Sequence, residues 1–200
     1  TSLSGESRES KLARVRQEME KNRADVLVLT ALDEIAWLLN LRGDDVKYTP
    51  VFLSFMMIRR DTAVLCVQDG VLSDSLTASL TGCGVTLAPY TDIYSLIAGV
   101  GDGERVEYDP AYASYRIMSS VPAGAVAIER ESPVILMKAI KNKTEMQNMR
   151  TAHVRDGVAV TRFIRWLKEA AKSGTTELAA SAKLEEFRKM GEDYIGPSFD

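Results

Sequence analysis

His153 is the only histidine among the 200 residues, so neither a two-histidine metal site nor a histidine relay can be assembled within this chain. A lone histidine on an apolar helical stripe reads as a packed, hydrogen-bonded core residue. Two pairs of adjacent carboxylates, Asp33-Glu34 and Asp44-Asp45, are residue types suited to acid–base work or cation binding. The first pair falls in the opening turn of a helix, where negative charge is favoured in any case. The second lies in the loop Arg42-Gly43-Asp44-Asp45, where it suits a turn, and neither pair brings the further oxygen ligands that a cation requires. Cys66 and Cys83 have no cysteine or histidine close in sequence to complete a metal site. Two isolated, buried thiols fit a reducing compartment better than a disulfide framework, so a cytoplasmic location is expected. The run Gly99-Val100-Gly101-Asp102-Gly103 has the composition of a phosphate cradle. It follows a helical pattern and opens no helix, however, and therefore reads as a flexible turn. No nucleophile elbow, HExxH helix or CxxC pair occurs. Judged by its own residues, the chain carries no complete active site and no metal site.

The elements that would position these residues alternate. A narrow stripe of Leu12, Val15 and Met19 among charges predicts a surface helix from Ser7 to Lys21. Val26 to Leu29 is a short unbroken apolar run, the mark of a strand covered on both faces. Thr30 with Asp33 predicts an N-cap for a helix from Leu32 to Leu39. Val51–Ile58 and Thr62–Val67, separated by Arg59-Arg60-Asp61, predict an antiparallel hairpin. Asp69-Gly70 leads into a helix carrying Leu72, Leu76 and Leu80. Short strands follow near Val85–Leu87, Arg105–Tyr108 and Ala125–Glu129, with weaker helical patterns at Ile93–Ala98 and Tyr112–Met118. Strands interleaved with helices in this order give an α/β domain with a mixed sheet flanked by helices, over residues 1–137.

Ser132-Pro133 predicts a cap and first position for a short helix through Ala139. Thr144 with Gln147 predicts a second capping box, opening a long helix to about Ala171. Its stripe is Met146, Met149, His153, Gly157, Val160, Ile164, Leu167 and Ala171. Ser173-Gly174 ends it, Thr176 caps another helix bearing Leu178, Leu184 and Phe187, and Gly191 ends that one. The last residues, Gly196-Pro197-Ser198-Phe199-Asp200, read as a turn running into an unfinished strand. With Thr1 at the start, the chain reads as an internal piece of a longer protein, its second part (138–200) the opening of a further domain.

The chain is 46% hydrophobic and 26% charged, enough to bury a core. Its longest apolar run, Val51–Ile58, is far short of a membrane span, and no membrane association is expected. Net charge is −3 overall. Basic residues of the second part alternate with acidic ones along helices, as on a solvated face, and no Lys/Arg cluster is interleaved with aromatics. Nucleic-acid binding is therefore not expected.

The run from Thr30 to Asp45, TALDEIAWLLNLRGDD, followed by Pro50-Val51-Phe52, resembles the second domain of the eukaryotic-type aminopeptidase P (Xaa-Pro aminopeptidase) family. Lys138 to Leu167, with Met149-Arg150-Thr151-Ala152-His153 and Asp156-Gly157-Val158-Ala159, is similar to the opening helix of that family's catalytic domain. Glu185-Glu186-Phe187-Arg188 and Ser198-Phe199-Asp200 continue the likeness in order. The resemblance implies a creatinase/prolidase N-terminal-like second domain over residues 1–137. It also implies that residues 138–200 are the first helices of an incomplete "pita-bread" metallopeptidase domain.

The parent that the resemblance implies is a hydrolase that removes the N-terminal residue preceding proline from proline-containing peptides. It would use two divalent ions, manganese, held by two Asp, one His and two Glu beyond Asp200, and would form a homodimer. None of those ligands maps onto this chain, so the fragment is expected to be inactive and without cofactor. Phe199 alone is implied as a pocket wall, with core packing as its plainer role. The competing expectation is a non-enzymatic pita-bread relative that binds peptides or histones. Prolidase and creatinase share the catalytic fold, but the LDEIAWLLNLRGDD run fits them poorly.

Overall fold

The computed structural model describes residues 2–199; Thr1 and Asp200 lie outside them. The described chain divides into two compact units, one spanning Glu6–Ile140 and the other combining Ser2–Gly5 with the chain from Lys141.

In the first unit, a six-stranded mixed sheet has the order β4-β3-β2-β1-β5-β6. Its strands are β1 (Val26–Leu29), β2 (Ser54–Arg59), β3 (Ala63–Val67), β4 (Val85–Pro89), β5 (Arg105–Tyr108) and β6 (Val126–Glu129). The predicted hairpin is β2–β3, antiparallel with Phe55 opposite Cys66. Strand β2 also runs antiparallel to β1, whereas β1–β5, β5–β6 and β3–β4 are parallel.

Every residue of β1 is buried, and its side chains alternate between two cores as strand geometry requires. Leu27 and Leu29 join Met56, Ile58 and Leu65 under helices α1 (Arg8–Asn22), α2 (Leu32–Leu39), α3 (Asp74–Gly82) and α6 (Pro133–Ala139). Val26 and Val28 join Met57, Cys66 and Val106 on the opposite face, under α4 (Ile93–Ala98) and α5 (Tyr115–Ser119). The unbroken apolar run is thus the consequence of burial on both sides.

Two predicted caps are displaced. The N-cap of α2 is Ala31, which makes no side-chain cap bond; the Thr30 hydroxyl donates instead to the Tyr112 carbonyl at 2.9 Å. The long helix α7 (Lys143–Ser173) opens with Asn142 and Glu145, not Thr144 and Gln147. Asn142 Oδ1 accepts the Glu145 amide at 3.0 Å, and Glu145 Oε2 accepts the Asn142 amide at 2.9 Å. The glycine-rich run is a turn, as expected, and it is hydrogen-bonded: the Gly103 amide donates to Gly124 O at 2.7 Å and the Gly101 amide to Glu104 Oε2 at 2.6 Å.

In the second unit, α7 packs on α8 (Glu177–Lys189). The ion pairs Arg188–Asp156 (2.7 Å) and Arg155–Asp193 (2.6 Å) bind α7 to α8 and to the segment that follows it. The predicted apolar stripe of α7 is only partly shielded. Met146, Met149, His153, Gly157 and Ile164 are exposed, whereas Ala159 is buried and Phe163 and Trp166 are half-buried. The segment Ser198–Phe199 forms no strand, and Phe199 is 71% exposed. No described helix is long and apolar enough to cross a membrane.

Candidate functional site

Each carboxylate pair has a structural occupation. Glu34, on the first turn of α2, is 2% exposed. Its Oε2 accepts the Ser132 hydroxyl at 2.5 Å, and the Ser132 amide donates to Asp109 Oδ2 at 3.0 Å. Desolvation pushes the Glu34 carboxyl above the ordinary carboxylate range; Ser132 opposes the rise, and the charges of Asp109 and Glu131 add to it. Asp33 beside it pairs with Lys138 of α6. This pair thus ties α2 to the strand end at Asp109 and to the cap of α6.

Asp45 serves the loop between α2 and β2. Its Oδ2 accepts the Leu53 amide at 2.7 Å, and its own amide donates to Val51 O at 3.3 Å. Gly43 lies so close to Phe52 that a Cβ there would come within 2.6 Å of the Phe52 Cβ. The motif Arg42-Gly43-Asp44-Asp45 therefore folds back on Val51 and Phe52. Behind it, the carboxyl end of α2 is fastened to α1: Lys11, fully buried, donates from Nζ to Trp37 O and Asn40 Oδ1, both at 2.8 Å. Its ammonium also sits 3.9 Å from the Trp37 ring centre, and Arg8 Nε donates to Leu39 O at 2.5 Å. Two cations at a helix carboxyl end complement its partial negative charge.

His153 is exposed, with Nδ1 within 2.8 Å of Met149 O, and is not the core residue that its stripe suggests. The packed side of α7 is the one carrying Ala159 and Phe163. Cys66 is buried in β3, and burial raises its thiol to about 11. Cys83, half-buried at the end of α3, donates from Sγ to Glu9 Oε1 at 2.8 Å. Phe199 lies in the second unit, whereas Glu34 and Asp45 lie in the first. Among the described residues, no three His, Cys, Asp or Glu side chains are grouped so as to hold a metal ion.

Sequence reasoning missed one buried carboxylate. Glu107, fully buried in β5, accepts both of its bonds from Asn22 Nδ2 (3.0 and 3.1 Å), and Asn22 in turn accepts from Arg130. The only trace of it in sequence is a charge inside the short strand Arg105–Tyr108. Among the hollows on the first unit's surface are two of different size. One, of about 230 Å³, lies beside Asp69, Gly70 and Pro89 at the carboxyl ends of β3 and β4. The larger, about 710 Å³, lies between α1 and the β2–β3 turn.

Residues 1–145 match the creatinase/prolidase N-terminal domain family. Xaa-Pro aminopeptidase 1 of Dictyostelium discoideum is 36% identical over 99% of this chain, which spans 32% of that protein. A probable Xaa-Pro aminopeptidase P of Sordaria macrospora is 34% identical over 98% of the chain, which spans 34% of it. The chain thus spans about a third of the length of these curated relatives. Among solved structures, an X-prolyl aminopeptidase of Caenorhabditis elegans, a cytosolic enzyme with a di-nuclear active site, covers 100% of this chain. The TM-score is 0.91 at 28% identity, and the match takes in 34% of that protein. A Xaa-Pro dipeptidase of Bacillus anthracis shares the fold over 92% of this chain and 49% of its own, with a TM-score of 0.62 at 13% identity.

Proposed function

The chain belongs to the creatinase/prolidase N-terminal domain family, and from that premise we propose that it is part of a metal-dependent Xaa-Pro aminopeptidase. On this reading residues 1–137 are the middle domain, and residues 138–200 are the first helices of a pita-bread catalytic domain. The observation that carries the proposal is collinear similarity to Xaa-Pro aminopeptidases across 98–99% of the chain at 34–36% identity. Both parts of the chain are therefore matched in order, not the sheet domain alone. The 0.91 TM-score with the nematode enzyme supports the same reading.

The parent enzyme releases the N-terminal residue of peptides whose second residue is proline. The bond in question is a tertiary amide with no N–H and with φ fixed by the ring, a poor fit for general peptidases. Two divalent ions, manganese in this proposal, would supply Lewis-acid chemistry and a hydroxide for this hydrolysis when bound in the parent. Their ligands are two Asp, one His and two Glu that lie outside this chain, and the 200 residues alone are inactive. Phe199 borders the substrate pocket in the parent, and the parent is a cytoplasmic homodimer.

Reading the coding DNA beyond the Asp200 codon tests this. An open frame carrying two Asp, a His and two Glu in the family's order is the expected result. An open frame with apolar or uncharged residues at those positions would overturn the enzymatic reading and make the parent a peptide- or histone-binding protein.

A further inference from the structure

We propose that the larger hollow of the first unit, between the carboxyl half of α1 and the β2–β3 turn, binds a compact oxyanion, a phosphate group. Its volume of about 710 Å³ is that of a small-ligand site. Five arginines line it: Arg16 and Arg23 from α1 and its cap, Arg59 and Arg60 from the turn, and Arg105 at the start of β5. Four carboxylates also line it, Glu20, Asp25, Asp61 and Glu104. Two of these are already engaged. Glu104 accepts from Arg59 Nη1 at 2.5 Å and from the Gly101 amide, and Asp25 accepts the Arg105 backbone amide at 2.9 Å. The Arg59–Glu104 pair cancels, and Asp25 keeps its charge because it accepts only a neutral amide, so four guanidinium groups face three carboxylates. The lining keeps an excess of one positive charge in a concave surface, which favours anions.

The observation that points to a ligand is a pair of orphaned donors. Among the described residues, two buried side-chain polar atoms have no hydrogen-bond partner, Arg16 Nη2 and Arg105 Nε, and both arginines line this hollow. Arg16 Nε donates to Arg59 O at 3.1 Å, so one edge of its guanidinium is held in place. Buried donors are almost always satisfied, and an unsatisfied one on a charged group is the costliest kind. Both donors belong to arginines that line the hollow, and an oxyanion held there would offer them acceptors once the guanidinium groups turn toward it. A phosphate group presents several strong acceptors, and guanidinium forks match them two at a time.

Arg23 occupies the left-handed region (φ 57°) that closes α1, and its side chain lines the same hollow. The carboxyl end of α1 itself opposes an anion, but the Met19 and Glu20 carbonyls there are already taken by the Arg23 and Ala24 amides. The inference does not rest on the aminopeptidase reading.

The test follows the arginine Nε–H resonances of the 200-residue chain by NMR during titration with inorganic phosphate, and separately with AMP as a phosphate monoester, at constant ionic strength set with chloride. Saturable shifts of the Arg16 and Arg105 signals are expected, with about tenfold weaker binding in Arg105→Met and in Arg16→Met. Arg162→Ala, on α7, should bind as the parent chain does. If Arg105→Met fails to fold, Arg105→Lys keeps the charge, lacks the fork, and should show the same loss. Tighter binding of inorganic phosphate would assign the free ion, and tighter binding of AMP a phosphate ester. Absence of a saturable shift with both probes at millimolar concentration would overturn the proposal, as would affinity unchanged in the Arg16 and Arg105 variants.

Discussion

Glu34 shows how a residue with catalytic credentials is consumed by structure. Buried at the start of α2, it is held by the Ser132 hydroxyl, and its carboxyl is raised mainly by desolvation. A raised folded value means that the folded state favours the protonated form. The resulting stabilisation is complete below the ordinary carboxylate value of about pH 4 and disappears as pH rises through the raised value. Glu34→Gln should therefore flatten the dependence of stability on pH above about 4, measured by urea unfolding across a pH series; an unchanged slope would remove Glu34 from that role. Ser132→Ala should cost about 1–3 kcal/mol, because it removes the cap of α6 and leaves the Glu34 carboxyl without its donor. The same unfolding curves read this loss.

At the scale of elements, the α/β order was legible because the strands are short, most of them apolar, and bounded by turn residues. β1 falls where its apolar run places it, and Pro133–Ala139 follows its Ser-Pro signal. The misplaced caps have two causes, a tertiary partner at one helix and a competing local capping box at the other. Thr30 was taken by the Tyr112 carbonyl, and Asn142 outcompeted Thr144 through its reciprocal bond with Glu145. Periodicity likewise shows that α7 has apolar residues at helical spacing without showing which of them α8 covers. The orphaned arginines were illegible for a different reason, since Arg16 and Arg105 lie 89 positions apart and only the sheet brings them to one hollow. The loop after α2 gives a direct test of the motif that carries the family likeness. Gly43→Ala would press a methyl group against Phe52 and should cost about 1–3 kcal/mol; a melting temperature equal to that of the unsubstituted chain would show that the loop yields freely.

Across the whole molecule, the two cores that sandwich the sheet both belong to the Glu6–Ile140 unit. A piece limited to residues 6–140 should therefore unfold in one cooperative transition with its near-ultraviolet dichroism intact. A gradual, non-cooperative loss of signal would show that the core needs more of the chain. Chemistry is distributed differently from stability. Glu34, Asp33 and Asp45 serve helix ties, an ion pair and loop closure, and among the described residues no three His, Cys, Asp or Glu side chains are grouped for a metal ion. The aminopeptidase proposal, which rests on the similarity across 98–99% of the chain, places catalysis in the larger protein. The most direct test is to express the complete reading frame containing this chain and assay release of the first residue from a peptide whose second residue is proline. Cleavage that stops on chelation and returns with manganese, with no cleavage by the 200-residue chain under the same conditions, is the predicted result. No cleavage by the metal-loaded complete protein would contradict the account.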